Sequence, residues 1–185
     1  MNRFQVVYKV FLIHLFAGLI NELVHNNSSI SGLGAISSAI YYLIETQCFL
    51  YVFLQWIDVE KLKQNVYQVL FMLLWLIDLY LKLILKYAAF NWMYMFMLAI
   101  LVILGINVLT KNNNGNAFSR RFIVIPIIVY AIYWIAINIL MALLYNKHNQ
   151  QLFINLYSVI NLINFLSYSS YSLALIWAPK KEKYL

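Results

Sequence analysis

The chain has 185 residues, a net charge of +7, 64% hydrophobic and 10% charged residues, and a mean hydropathy of +0.77. Soluble domains run near about 50% apolar and about 25% charged, so the composition excludes an ordinary soluble fold and points to an all-α, polytopic transmembrane helix bundle. Six spans of about 20 residues use almost the whole length, which leaves no room for a soluble catalytic or DNA-binding domain, and the basic residues cluster at span ends, where they meet anionic headgroups rather than nucleic acid.

The expected organisation is one integral-membrane domain over 1–185, with spans at about 4–24, 33–57, 67–85, 92–109, 122–145 and 152–177. Arg3 and Lys9 ahead of an apolar stretch have the outline of a signal peptide. No small-residue cleavage site follows, and Asn21, Glu22 and His25 interrupt the tail, so a signal-anchor helix fits better. A polar loop, 25–32, leads into the second span, which ends near Trp56, a natural interface anchor. Asp58 to Gln64 reads as the first solvated loop. The third span carries Asp78 and Lys82, and the short turn 86–91 makes spans three and four antiparallel neighbours. Span four is the most apolar and is expected to face lipid over much of its surface. The asparagine-rich connection through Arg120 and Arg121 is the longest. Pro126 is expected in the first turns of span five, where a missing amide donor costs least. Span six closes at Pro179, before a basic tail.

Orientation follows from the basic residues. With both termini cytoplasmic, Arg3, Lys61, Lys63, Lys111, Arg120, Arg121, Lys180, Lys181 and Lys183 lie inside, and only Lys86 and Lys147 lie outside. That asymmetry obeys the positive-inside rule and requires an even number of crossings. Four crossings also satisfy it, with span one or span three among those lying in the interface instead. The expected location is a bacterial inner (plasma) membrane, with the lipid bilayer as first partner. The basic loops 58–66 and 111–121 and the tail 180–185 are the surfaces on which a protein partner would dock.

Candidate chemistry lies within the spans. An ionisable group at bilayer mid-depth costs about 3 kcal/mol on insertion scales, so it turns toward protein or water. His14, Glu45 and Asp78 each fall near the middle of their span, and a shared depth would suit a proton relay, a hard-metal site, or interhelical hydrogen bonds that hold the helices together. Asp78 and Lys82 are one helical turn apart and can neutralise one another. Span six carries a stripe of Tyr157, Asn161, Asn164, Tyr168 and Tyr171; span two one of Ser38, Tyr41, Tyr42, Glu45, Cys48 and Gln55; span three one of Gln68, Trp75, Asp78 and Lys82. Polar stripes turn inward in lipid, so spans two, three and six are expected to line an interior containing His14, Glu45, Asp78, Lys82, Asn161, Asn164 and Tyr168, either as packing contacts or as a cavity for a small polar or aromatic ligand. Glu22-Leu23-Val24-His25 has the spacing used by di-iron bundles, but such sites need it twice and two further glutamates. No hydrolase elbow, phosphate-cradling loop or selectivity filter is present, and no cofactor is implied. Cys48 is the single cysteine, so no internal disulfide or two-cysteine redox site forms. The readings left are a non-enzymatic sensor-like bundle or accessory subunit, a small ion- or proton-coupled transporter or channel, and an intramembrane metal-dependent enzyme built on His14, Glu45 and Asp78.

Overall fold

A computed structural model describes residues 3–27, 31–83, 92–111, 117–144 and 150–176. Among these the secondary structure is entirely helical: α1 (Arg3–Asn27), α2 (Ser31–Ile57), α3 (Lys61–Leu83), α4 (Trp92–Thr110), α5 (Ala117–Leu144) and α6 (Gln150–Ile176). Among the described residues four stretches are long and apolar enough to cross a membrane: Ile36–Ile57, Lys61–Leu81, Trp92–Thr110 and Arg120–Leu140. An all-helical chain with several such stretches is what a membrane protein requires.

The helices fall into two compact units. The first holds α1, α2, α3 and Trp92–Met97 of α4; the second holds the rest of α4 with α5 and α6.

In the first unit α2 is the centre, packed by α1 on one side and α3 on another. Its C-terminal half is buried nearly all round: Phe49, Leu50, Val52, Phe53, Leu54 and Trp56 make the core. Its end is a Schellman cap. The amide of Val59 donates to the carbonyl of Leu54 (3.1 Å) and that of Asp58 to Gln55 (3.2 Å), with Asp58 in the left-handed region at φ 61°. The tight cap lets α3 begin at Lys61, so most of the expected solvated loop is instead the first turn of a helix. The side chain of Gln64 ties that corner, donating to the Val59 carbonyl (2.6 Å) and accepting from Gln55 Nε2 (2.7 Å). The Glu60–Lys63 ion pair there (3.1 Å) is exposed and adds little.

The inward face of α3 is a regular ladder. Gln64, Phe71 and Asp78 are buried and Gln68 and Trp75 are half-buried, at alternating spacings of four and three, which is one side of a helix. Gln47 Nε2 donates to the Gln68 carbonyl (3.0 Å) and Trp75 Nε1 to the Ala39 carbonyl (2.9 Å), so α2 and α3 run antiparallel. The outward face carries exposed Leu62, Val66, Leu70, Leu73 and Ile77. A water-soluble helix has the reverse arrangement.

In the second unit α5 and α6 are the main pair. Because α5 starts at Ala117, Pro126 is a helix-interior residue rather than a first-turn one. It cannot donate to the carbonyl of Phe122 four residues back. The hydroxyl of Ser170 on α6 donates to that carbonyl (2.7 Å), and Tyr133 Oη donates to the Leu156 carbonyl (2.9 Å). At Gly105 on α4 an added Cβ would stand 2.9 Å from Ile128 Cγ1 on α5.

Candidate functional site

Glu45 sits at the middle of α2, 4% exposed, and its two oxygens are held from different helices. Tyr41 Oη, one turn back on α2, donates to Oε1 at 3.0 Å; Tyr94 Oη, from α4, donates to Oε2 at 3.0 Å. The carboxylate therefore has a hydrogen bond on each oxygen, the condition under which burial of such a group is tolerated.

An aromatic shell surrounds this group. The His14 ring from α1 lies 4.5 Å from Phe49, 5.9 Å from Tyr41 and 5.7 Å from Phe11, centroid to centroid. His14 is 1% exposed, and its Nδ1 has no hydrogen-bond partner among the described residues. Tyr42 and Tyr94 pack at 4.9 Å, centroid to centroid. Beyond them is a cleft of about 20 Å³ lined by Ala39, Tyr42, Trp75, Asp78, Leu79, Tyr94 and Met97. Asp78, 7% exposed, is the acidic residue among those lining it. The volume suits one water molecule and is far below the roughly 300 Å³ at which pockets for drug-sized molecules begin.

The expected site residues separate. His14, Glu45 and Asp78 are all buried in the first unit, linked by Tyr41 on one side of Glu45 and Tyr94 on the other. They do not converge on a point: among the described residues no group of three His, Cys, Asp or Glu is placed to hold a metal ion. The side chain of Lys82 lies outside the described residues, as does that of His25 in the Glu-x-x-His spacing, whose Glu22 is exposed.

Asn161, Asn164 and Tyr168 belong to the second unit. Asn161 is exposed, Asn164 half-buried and Tyr168 37% exposed. The buried face of α6 instead runs Ile160, Ser167, Tyr171 and Ala174. It shares Asn164 and Tyr171 with the expected stripe but turns Asn161 and Tyr168 outward, because the Ser170–Phe122 and Tyr133–Leu156 hydrogen bonds set the rotation of the helix against α5. The outward serines satisfy themselves: Ser169 Oγ donates to the Phe165 carbonyl and Ser172 Oγ to the Tyr168 carbonyl.

Sequence reasoning missed Tyr94, since a lone tyrosine in the most apolar helix carries no periodic signal. The fourth helix, expected to face lipid over much of its surface, does expose Trp92, Phe96, Ile103 and Ile106, while Tyr94, Met95, Met97, Leu98 and Leu101 are buried. Tyr41 was legible one helical turn from Glu45. Comparison with family models, with curated proteins and with solved structures finds no match.

Proposed function

We propose that this chain is a non-enzymatic, six-span protein of a bacterial inner membrane with both termini cytoplasmic, acting as a sensor-like bundle or an accessory subunit of a larger membrane assembly. The observation that carries this reading is the Glu45 centre itself. A carboxylate with both oxygens held by tyrosines from two helices, beside a cleft large enough only for water, is built as an internal polar joint rather than as a substrate pocket. The loops around 58–66 and 111–121 and the tail 180–185 supply the partner surface, by their basic character. The test is affinity capture of the full chain from its native membrane. A stoichiometric protein partner supports the reading; recovery of the chain alone, with no change in stability on adding candidate ligands, overturns it.

A second reading, a small proton-coupled transporter or channel, is favoured by one observation: polar groups from four helices, His14, Tyr41, Glu45, Tyr94 and Asp78, lie in succession through the first unit. Reconstituted liposomes that stay tight to protons and alkali cations under an imposed pH gradient would remove it. Flux that Glu45→Gln abolishes while the protein stays folded would favour it over the first.

A further inference from the structure

The first unit holds two buried carboxylates on adjacent helices, Glu45 on α2 and Asp78 on α3. One residue belongs to the surroundings of both. Tyr94 donates its hydroxyl to Glu45 Oε2 and also lines the cleft that Asp78 lines. The cleft is about 20 Å³, which is room for a single water molecule, and such a molecule persists where two or more polar partners surround it. We propose that the cleft is a water site that joins Asp78 to Tyr94, so that Glu45 and Asp78 exchange one proton through the water and the tyrosine hydroxyl.

The exchange balances. Asp78 as the acid gives its proton to the water; the water passes one of its own to the Tyr94 oxygen as Tyr94 passes its phenolic proton to the Glu45 carboxylate. Water and tyrosine end unchanged, Asp78 is left as the carboxylate and Glu45 as the acid, and the reverse runs through the same atoms. The hydroxyl is both donor and acceptor, which a relay position requires. Tyr41 makes an equally short bond to Glu45, but it does not line the cleft, so it is an anchor and not part of the path. Among the described residues, the other titratable groups facing the pair are His14 from α1, Tyr41, Tyr42 and Cys48 from α2 itself, and Tyr94 from α4; the side chain of Lys82, one turn from Asp78 on α3, lies outside the described residues.

This inference rests on the Glu45 centre being the polar joint described above, and not on the identity of any partner. The test is infrared hydrogen–deuterium exchange of the carboxyl C=O stretches of the full chain in phosphatidylcholine nanodiscs, with Glu45→Gln and Asp78→Asn assigning the bands. The proposed path delivers protons to Glu45 from Asp78, so Asp78→Asn is expected to slow exchange at Glu45 severalfold. Tyr94→Phe keeps the ring and removes the relay oxygen; it is expected to slow exchange at Glu45 as much, whereas Tyr41→Phe leaves the exchange in place. If Asp78→Asn does not fold, Glu45→Gln read at the Asp78 band serves as the reciprocal measurement. Exchange at Glu45 that ignores Asp78→Asn, or that survives Tyr94→Phe unchanged, overturns the proposal. The readout needs no partner protein, so failure of the capture experiment and failure of this one are separate results.

Discussion

At Glu45 the local arrangement decides what substitutions do, and polarity outweighs size. A glutamine keeps one carbonyl oxygen and can donate from its amide to a tyrosine oxygen, so Glu45→Gln is expected to cost about 1 kcal/mol, the net worth of a typical hydrogen bond. Leucine is closer to what a hydrophobic interior prefers, yet Glu45→Leu removes the acceptor of both Tyr41 and Tyr94. Each tyrosine hydroxyl deprived of its partner costs about 1–3 kcal/mol, so the leucine variant should be the less stable of the two. The same accounting gives a change of sign. Tyr41→Phe and Tyr94→Phe should each lower the melting temperature of the native chain, but together they should raise that of Glu45→Leu, because they delete the groups left without an acceptor. Thermal unfolding of the purified variants in one detergent checks this; phenylalanine pairs that destabilise both backgrounds equally would mean that the tyrosines act by packing alone. His14 extends the argument. With Nδ1 lacking a partner among the described residues and Phe11, Phe49 and Tyr41 around the ring, it behaves as an aromatic filler, and His14→Phe is expected to be neutral to about 1 kcal/mol stabilising in the same measurement.

Among the elements, α5 and α6 show how a helix break becomes a helix contact. Pro126 leaves the Phe122 carbonyl without its usual donor, and Ser170 supplies one from the neighbouring helix. Ser170→Ala should therefore cost about 1–2 kcal/mol in the native chain. In a Pro126→Ala background it should cost close to nothing, since the restored amide at position 126 takes the carbonyl; a double-mutant cycle on unfolding in mixed detergent reads the difference directly. The cap between α2 and α3 gives a gain instead. Asp58 holds a left-handed conformation at φ 61°, which costs an ordinary residue about 1–2 kcal/mol and glycine almost nothing, so Asp58→Gly is expected to raise stability by about 1 kcal/mol. These elements also show which parts of the structure were legible from residues alone. The inward ladder of α3 was, because Gln68, Trp75 and Asp78 repeat at helical spacing against an otherwise apolar sequence, and the structure extends it to Gln64 and Phe71. The face of α6 was only half legible. Serines and asparagines occur all round that helix, so periodicity alone cannot choose between Asn161 and Ser167, and the choice falls to a carbonyl exposed by a proline on another helix. The position of Pro126 went astray for the same kind of reason: Arg120 and Arg121 read as loop, whereas their charged heads can extend from the first turns of a helix that had already begun at Ala117.

For the whole molecule, the question is how many times the chain crosses. Helices α2 to α5 each contain a stretch that satisfies length and apolarity, and α3 carries the strongest physical sign of a lipid surround, a polar inward ladder under exposed leucine and isoleucine. Helices α1 and α6 are as long, with 25 and 27 residues, but are interrupted by Asn21 and Glu22 in one and by asparagines and serines in the other. Four crossings by α2 to α5 put Lys61 and Lys111 on one side. The basic residues favour that side as cytoplasmic, and extending the count to six places Arg3 and the 180–185 tail there too. The two outer helices can be tested separately. On a Cys48→Ser background, single substitutions Lys61→Cys, Lys111→Cys, Asn2→Cys and Lys183→Cys are probed in intact cells with a membrane-impermeant maleimide. All four should stay unlabelled until the cells are opened, and Lys147→Cys should label at once. Labelling of Asn2→Cys in intact cells would show that α1 lies along the interface instead of crossing, and labelling of Lys183→Cys would show the same for α6. Each failure removes one crossing, and removal of a single one would leave the chain ends on opposite sides, a result that an even count set by the positive-inside rule does not allow.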